Sequence, residues 1–167
     1  MRSFFRLLAM TTLMSMLLTS ASFAGNAKAT TSFAGNAKAT KSVAKTHRVA
    51  IQVDQNDPAV MNLALNNATN IFEYYRTKGE PVEVNIVTYG PGLYMLRDTS
   101  PVQDRIKQLK NLAFPGDIQF SACNVTKQAM EKREGQSIAI LPEARLVPSG
   151  VVTLMELQEE GWSYVRP

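Results

Sequence analysis

Cys123 is the single cysteine of this 167-residue chain, and it stands where a strand-like run, Asp117 to Ala122, gives way to a helix-like run opening at Asn124. The first N–H groups of a helix lack intrahelical acceptors, and with the helix dipole they favour an anion. A thiol placed there is biased toward the thiolate, the form that acts as a nucleophile. Cys123 is therefore the candidate catalytic residue. Asn124, as a cap, and Val125 and Thr126, as the first turn, are the candidate ligand-binding neighbours that direct N–H groups at the sulfur. One cysteine makes no disulfide within a single chain, which leaves a buried filler, a link between chains, or a working thiol. Neither a histidine nor a second cysteine stands beside it in the sequence.

Gly90-Pro91-Gly92 follows another strand-like run and is the second candidate. It is read either as a plain turn or as a backbone nest in which Gly90 and Gly92 present N–H groups to an anion or a sulfur ligand. Its spacing matches neither a dinucleotide fingerprint nor a P-loop, so no nucleotide follows from it. Asn66, Asn67 and Asn70 sit within a helical pattern and either reach a site or subunit contact or are solvated helix positions. Asn67-Ala68-Thr69 and Asn124-Val125-Thr126 match the glycosylation pattern but fall inside expected helices and are read as chance. His47, the single histidine, opens the first strand, on the edge away from the expected site. With no Cys/His cluster there is no metal set, and the expectation is no metal and no cofactor.

The elements that position these residues are legible as alternating patterns. Arg48 to Val53, Val82 to Tyr89, Ile118 to Ala122, Ala144 to Val147 and Trp162 to Val165 read as strands. Asp57-Pro58 supplies an N-cap and a first-turn proline for a long helix bearing Met61, Ala64, Leu65, Ala68, Phe72 and Tyr75, which stops at Lys78-Gly79. Ser100-Pro101 opens a helix with Val102, Ile106, Leu109 and Ala113 on one side, closed by Gly116. Asn124 to Arg133 is a short charged helix ended by Gly135. Pro148-Ser149 begins a last helix bearing Val152, Met155 and Leu157, stopped by Gly161. Ser137 to Leu141 is apolar enough for a strand but is cut by Pro142. Trp162 and Tyr164 are expected to cover the sheet or a subunit interface.

Strands alternating with helices need crossover connections, hence an α/β fold with a mainly parallel sheet and helices on both faces. The turns after the strands then gather along one edge, where ligands usually sit. Asn56, Gly90, Gly92, Cys123 and Ser149 all fall on such turns.

The N-terminal part has another character. Arg2 and Arg6, an apolar run from Leu7 to Leu18 and Ser22-Phe23-Ala24 read as an export signal over residues 1–24, with cleavage after Ala24 or, in a second copy of the pattern, after Ala34. The run is too short to span a bilayer, so no membrane association is expected once it is removed, and the location is periplasmic or secreted. SFAGNAKAT occurs twice, at Ser22 to Thr30 and Ser32 to Thr40, within a stretch 25–45 that has almost no large apolar side chain and reads as a disordered spacer. Residues 46–167 remain as one domain of ordinary size. Six of the 18 Lys and Arg precede residue 46, and the remaining 12 face all 14 acidic residues, so the domain carries about −2 rather than the +4 of the whole chain. A basic footprint is absent there, which argues against a nucleic-acid partner.

With these residues in place, the domain resembles the DsrE/DsrF-like family of small sulfur-relay proteins, particularly its exported single-domain members. The matching segments are HRVAIQVD (His47 to Asp54), LNNATN (Leu65 to Asn70), VTYGPGL (Val87 to Leu93), FSACNVT (Phe120 to Thr126) and, most specific, VPSGVVTLMELQEEGWSYVRP (Val147 to Pro167). The resemblance implies a three-layer α/β/α sandwich with a parallel five-stranded sheet, assembly into a homo-oligomer such as a trimer or hexamer, and a family cysteine at Cys123 that carries sulfur as a persulfide. The implied partners are a sulfane-sulfur donor and an acceptor thiol. Asn124 departs from the glycine that many relatives have after the cysteine, which bears on access to the sulfur. The expected function is an exported sulfur-binding or sulfur-transfer protein without an assured catalytic cycle. The alternatives are a non-catalytic oligomeric module that binds a ligand or partner and has a structural cysteine, and a thiol redox sensor.

Overall fold

Each strand of this protein ends at a turn that leads into a helical segment or the chain end, and the computed structural model describes residues 45–114 and 116–167. The export signal and the spacer up to residue 44 lie outside the described residues. Five strands form the sheet: β1 (His47–Val53), β2 (Val82–Thr88), β3 (Asp117–Cys123), β4 (Ala144–Val147) and β5 (Ser163–Val165). Their order is β4-β3-β2-β1-β5 and every pairing is parallel. Four α-helices accompany them: α1 (Pro58–Lys78), α2 (Gln103–Leu112), α3 (Asn124–Glu134) and α4 (Gly150–Glu159).

The ends of α1 follow from side-chain chemistry. Asp57 has extended backbone and accepts the Ala59 N–H at 2.8 Å, and Pro58 occupies the first turn, where a missing N–H costs nothing. At the other end Gly79 adopts φ +67, and the N–H groups of Gly79 and Glu80 close back on the carbonyls of Arg76 and Tyr75. Asp57→Ala is expected to lower stability by about 1 kcal/mol, read from the midpoint of urea unfolding, because the cap is lost while the helix keeps its packing.

The main core lies on one face of the sheet. Met61, Ala64, Leu65, Ala68 and Phe72 of α1, with Ile106 and Leu109 of α2 and Met130 of α3, pack on Ile51, Val84, Ile86, Ile118 and Phe120. On the other face, α4 is the one helix among the described residues and contributes Leu154 and Leu157, which meet Ala50 and Val87, with Tyr89 and Trp162 alongside. The fold is thus an α/β sandwich with unequal layers.

Three expectations change in detail. Gly90-Pro91-Gly92 is not a simple turn but the first part of a 3-10 helix, Gly90–Leu96, that tucks Leu93, Met95 and Leu96 into the main core. Ser137 to Leu141 does not join the sheet; Ile140 makes an isolated antiparallel bridge with Arg97, and the Leu141 N–H donates to the Leu96 carbonyl. In α4 the buried positions are Gly150, Thr153, Leu154 and Leu157, so Val152 and Met155, on other sides of the helix, are 46% and 55% exposed. Spacing of three and four residues selects the buried stripe, and Val152 and Met155 fall outside it.

Candidate functional site

β3 and β4 run side by side with Cys123 opposite Val147, so the helices that follow them, α3 and α4, start next to each other. Cys123 ends β3 with φ −68 and ψ 117 and caps α3, its Sγ accepting the Thr126 N–H at 3.4 Å. α4 brings its first residue, Gly150, to the same place. A Cβ on Gly150 would lie 2.9 Å from Tyr89 Cβ and 3.2 Å from Cys123 Cβ, so only glycine lets the helix approach this closely. The sulfur thus faces the N-termini of two helices rather than one.

Cys123 is 4% exposed. Burial by itself pushes its thiol up, but the Thr126 side chain and the nearby backbone amides of Gly150, Thr126 and Val125, the last also donating to the Pro148 carbonyl at 3.4 Å, outweigh it and hold the thiol below its ordinary value. The sulfur is therefore enclosed, yet directed at amides instead of being sealed among aliphatic groups. Thr126 also accepts the Gly90 N–H at Oγ1, 2.9 Å away, which leaves its own hydroxyl proton for the sulfur.

Val125 and Thr126 thus stand at the sulfur, and Asn124 is the first residue of α3 while Cys123 itself caps the helix. Gly90 reaches the sulfur only through Thr126. The Gly92 N–H donates to the Tyr89 carbonyl, and its Cα is packed against the backbone of Val53, so its place is set by close approach to β1 rather than by a ligand. Gly150 and Tyr89 were not among the sequence candidates. A glycine straight after Pro148-Ser149, at the start of a helix where it is a poor former, was the available signal.

A groove of about 340 Å³ runs along α3, bordered by Asn56, Gly90, Tyr94, Thr126, Met130 and Arg133, without Cys123 in its lining. Thr126 belongs both to this groove and to the sulfur's hydrogen-bond shell. Near Tyr89, Tyr164 donates to Gln52 Oε1, Gln52 donates to Asp54, and Arg166 pairs with Asp54 at 3.1 Å. Burial first, then the Asp54 carboxylate, hold the Tyr89 phenol above its ordinary value, so it stays neutral and able to donate.

The remaining candidates lie elsewhere. His47 is at the opposite end of β1, stacked on Tyr75 and 2.7 Å from Glu80 Oε2. Asn66 accepts from Arg105 of α2 at 2.7 Å and joins two helices; Asn67 is half-buried and Asn70 exposed on the same helix. Trp162 packs beside α4 over the sheet, in keeping with a covering role. Among the described residues no group of three or more His, Cys, Asp or Glu is placed to hold a metal ion, and no helix is long and apolar enough to cross a membrane.

The lowered thiol has a testable pH signature. The rate of Cys123 alkylation should fall as pH drops through a midpoint below that of an ordinary thiol, because only the thiolate reacts. Thr126→Val, which removes one donor to the sulfur, should move that midpoint upward and slow alkylation several-fold at neutral pH, whereas Thr126→Ser should restore it. The same shift favours the folded state above the unfolded-state thiol pKa, and that contribution disappears as pH falls through the folded value.

Comparison with known proteins agrees with the architecture. The structure of the protein of unknown function MTH1491 from Methanobacterium thermoautotrophicum matches with a TM-score of 0.60 and 28% sequence identity, over 72% of this chain and 99% of that one. No curated protein matches the chain. The model of the DsrE/DsrF-like family matches residues 47–167, from the first residue of β1 to the last residue after β5 and with Cys123 inside it. By that match, and with a sheet that is parallel throughout, the chain belongs to the DsrE/DsrF-like family.

Proposed function

We propose that this protein is exported, assembles as a homo-oligomer, and binds or transfers sulfur as a persulfide on Cys123. The observation that carries the proposal is the set of donors around one sulfur: the Thr126 hydroxyl and the N–H groups of Gly150, Thr126 and Val125, which together lower the thiol despite burial. Membership of the DsrE/DsrF-like family supports a sulfur-relay role, and the basic, then apolar, leader supports export.

In the proposed step the Cys123 thiolate attacks the outer sulfur of thiosulfate. A new S–S bond forms to Cys123, the old one breaks, and sulfite leaves with the electron pair. An acceptor thiolate then attacks the terminal sulfur of the persulfide, takes it as its own persulfide, and returns Cys123 to the thiolate. No net oxidant is needed, since sulfane sulfur passes from thiosulfate to acceptor. The donors that stabilise the thiolate also stabilise the anionic end of a persulfide. Enclosure of the sulfur selects donors in which the transferable atom is small and terminal.

A structural cysteine in a binding module is the second reading, favoured by the 4% exposure of Cys123. Incubation with thiosulfate or polysulfide followed by intact mass separates the two. Gain of one sulfur atom by the native protein supports the relay. No gain, together with a thiol that alkylates only after denaturation, leaves the structural reading.

A further inference from the structure

Among the described residues α4 is the one helix on the second face of the sheet, and a cleft of about 480 Å³ opens beside it over β2, β3 and β4. This is the size range of small-molecule sites. Two polar groups in its lining are buried without a hydrogen-bond partner among the described residues: Asn85 Nδ2 and Trp162 Nε1. Asn85 is 1% exposed and lies at the centre of the sheet, between Ala50 of β1 and Gln119 of β3. Its Oδ1 accepts from Ser121 Oγ at 2.8 Å, which leaves the amide nitrogen as the unpartnered end of the side chain. The small side chain of Ala50 beside Asn85, also buried, leaves room for Trp162, which packs against Ala50's cluster and reaches the same space.

Buried donors are ordinarily satisfied, and both of these are N–H groups, so the complementary ligand is an acceptor. Arg145 lines the cleft and adds a positive charge, while Glu156 and Glu160 of the α4 side add two negative ones. We propose that the cleft binds a small monocarboxylate, its oxygens accepting from Asn85, Trp162 and Arg145. The two glutamates favour a ligand whose far end is neutral or carries an amino group and disfavour a second carboxylate. This goes beyond sulfur transfer and does not use Cys123.

Trp162 is the only tryptophan of the chain, so its indole N–H gives one identifiable NMR resonance. Titration of the full domain with propanoate and β-alanine should shift that resonance and the Asn85 side-chain amide saturably, with β-alanine at least as effective. Propylamine should shift neither, and succinate should bind more weakly. Arg145→Gln changes an exposed side chain and should weaken propanoate binding about tenfold, as loss of a charged hydrogen bond does. The proposal is overturned by the absence of a saturable shift with either carboxylate, or by equal affinity in Arg145→Gln. It is overturned as well if the shift follows protein concentration instead of ligand, because the cleft is then covered by a second copy of the chain. Sulfur uptake by Cys123 is unaffected in each case, which keeps this test distinct from that of the persulfide.

Discussion

Cys123→Ser is expected to abolish sulfur uptake from thiosulfate, leaving the intact mass unchanged under conditions in which the wild-type protein gains one sulfur atom. Serine is the informative replacement because it preserves the local structure. Cys123 is the N-cap of α3 and accepts the Thr126 N–H, and a serine hydroxyl is a preferred acceptor in that position. The helix start, the sheet end and the approach of Gly150 therefore survive, and any loss is a loss of the nucleophile. A hydroxyl at neutral pH has almost no alkoxide, and no arrangement of three amides and one hydroxyl compensates for that difference. Retention of the added mass in Cys123→Ser would move the sulfur to another site and remove the proposed function. Thr126→Val provides the graded case, with uptake slowed rather than lost.

Gly92→Ala is expected to be the most damaging small substitution for stability. An ideal Cβ there lies 2.1 Å from the Val53 carbonyl oxygen, 2.5 Å from its carbon and 2.8 Å from the Asp54 nitrogen. All three are backbone atoms at the end of β1, and the Val53 carbonyl also accepts the Tyr89 N–H at 3.3 Å. No side chain can swing aside, so the 3-10 helix must lift from the sheet and carry buried Leu93, Met95 and Leu96 with it. The cost is roughly 3 kcal/mol, in the upper range for overpacking, and should appear as a lower urea midpoint with an unchanged slope. Gly79→Ala is the comparison: nothing lies within 4 Å of its Cβ, and only the left-handed φ of +67 is strained. Its loss should be about 1 kcal/mol. A midpoint for Gly92→Ala no lower than that for Gly79→Ala would mean that the 3-10 helix yields freely.

The strand and helix starts were readable because the signals are local. Asp57-Pro58 caps α1, Lys78-Gly79 ends it, and Val102, Ile106, Leu109 and Ala113 are all buried as their spacing requires. The all-parallel order of the sheet also follows from local information, since helices between strands leave little alternative to crossovers. The 3-10 helix after Gly90 was not readable. A Gly-Pro-Gly run has the composition of a turn, and what makes it a helix is the burial of Leu93, Met95 and Leu96 in a core assembled from distant segments. For the same reason Val152, Met155 and Leu157, the three apolar residues expected on the inner side of α4, include one that is buried, Leu157: which stripe faces the sheet depends on where the sheet lies.

At the site, the sequence by itself determined that one thiol stands at the entrance of a helix, flanked by Val125 and Thr126, because a strand, a cap and a helix succeed one another along the chain. Only the tertiary structure decided that Gly150 joins them, that the Gly90 amide is engaged by Thr126, and that the Gly92 amide is used by the 3-10 helix, donating to the Tyr89 carbonyl. It also decided that Asn85 and Trp162, remote from each other in sequence, line one cleft. Capping is settled within a few residues of backbone, whereas the environment of a side chain is the sum of contacts across parallel strands, which no local pattern records.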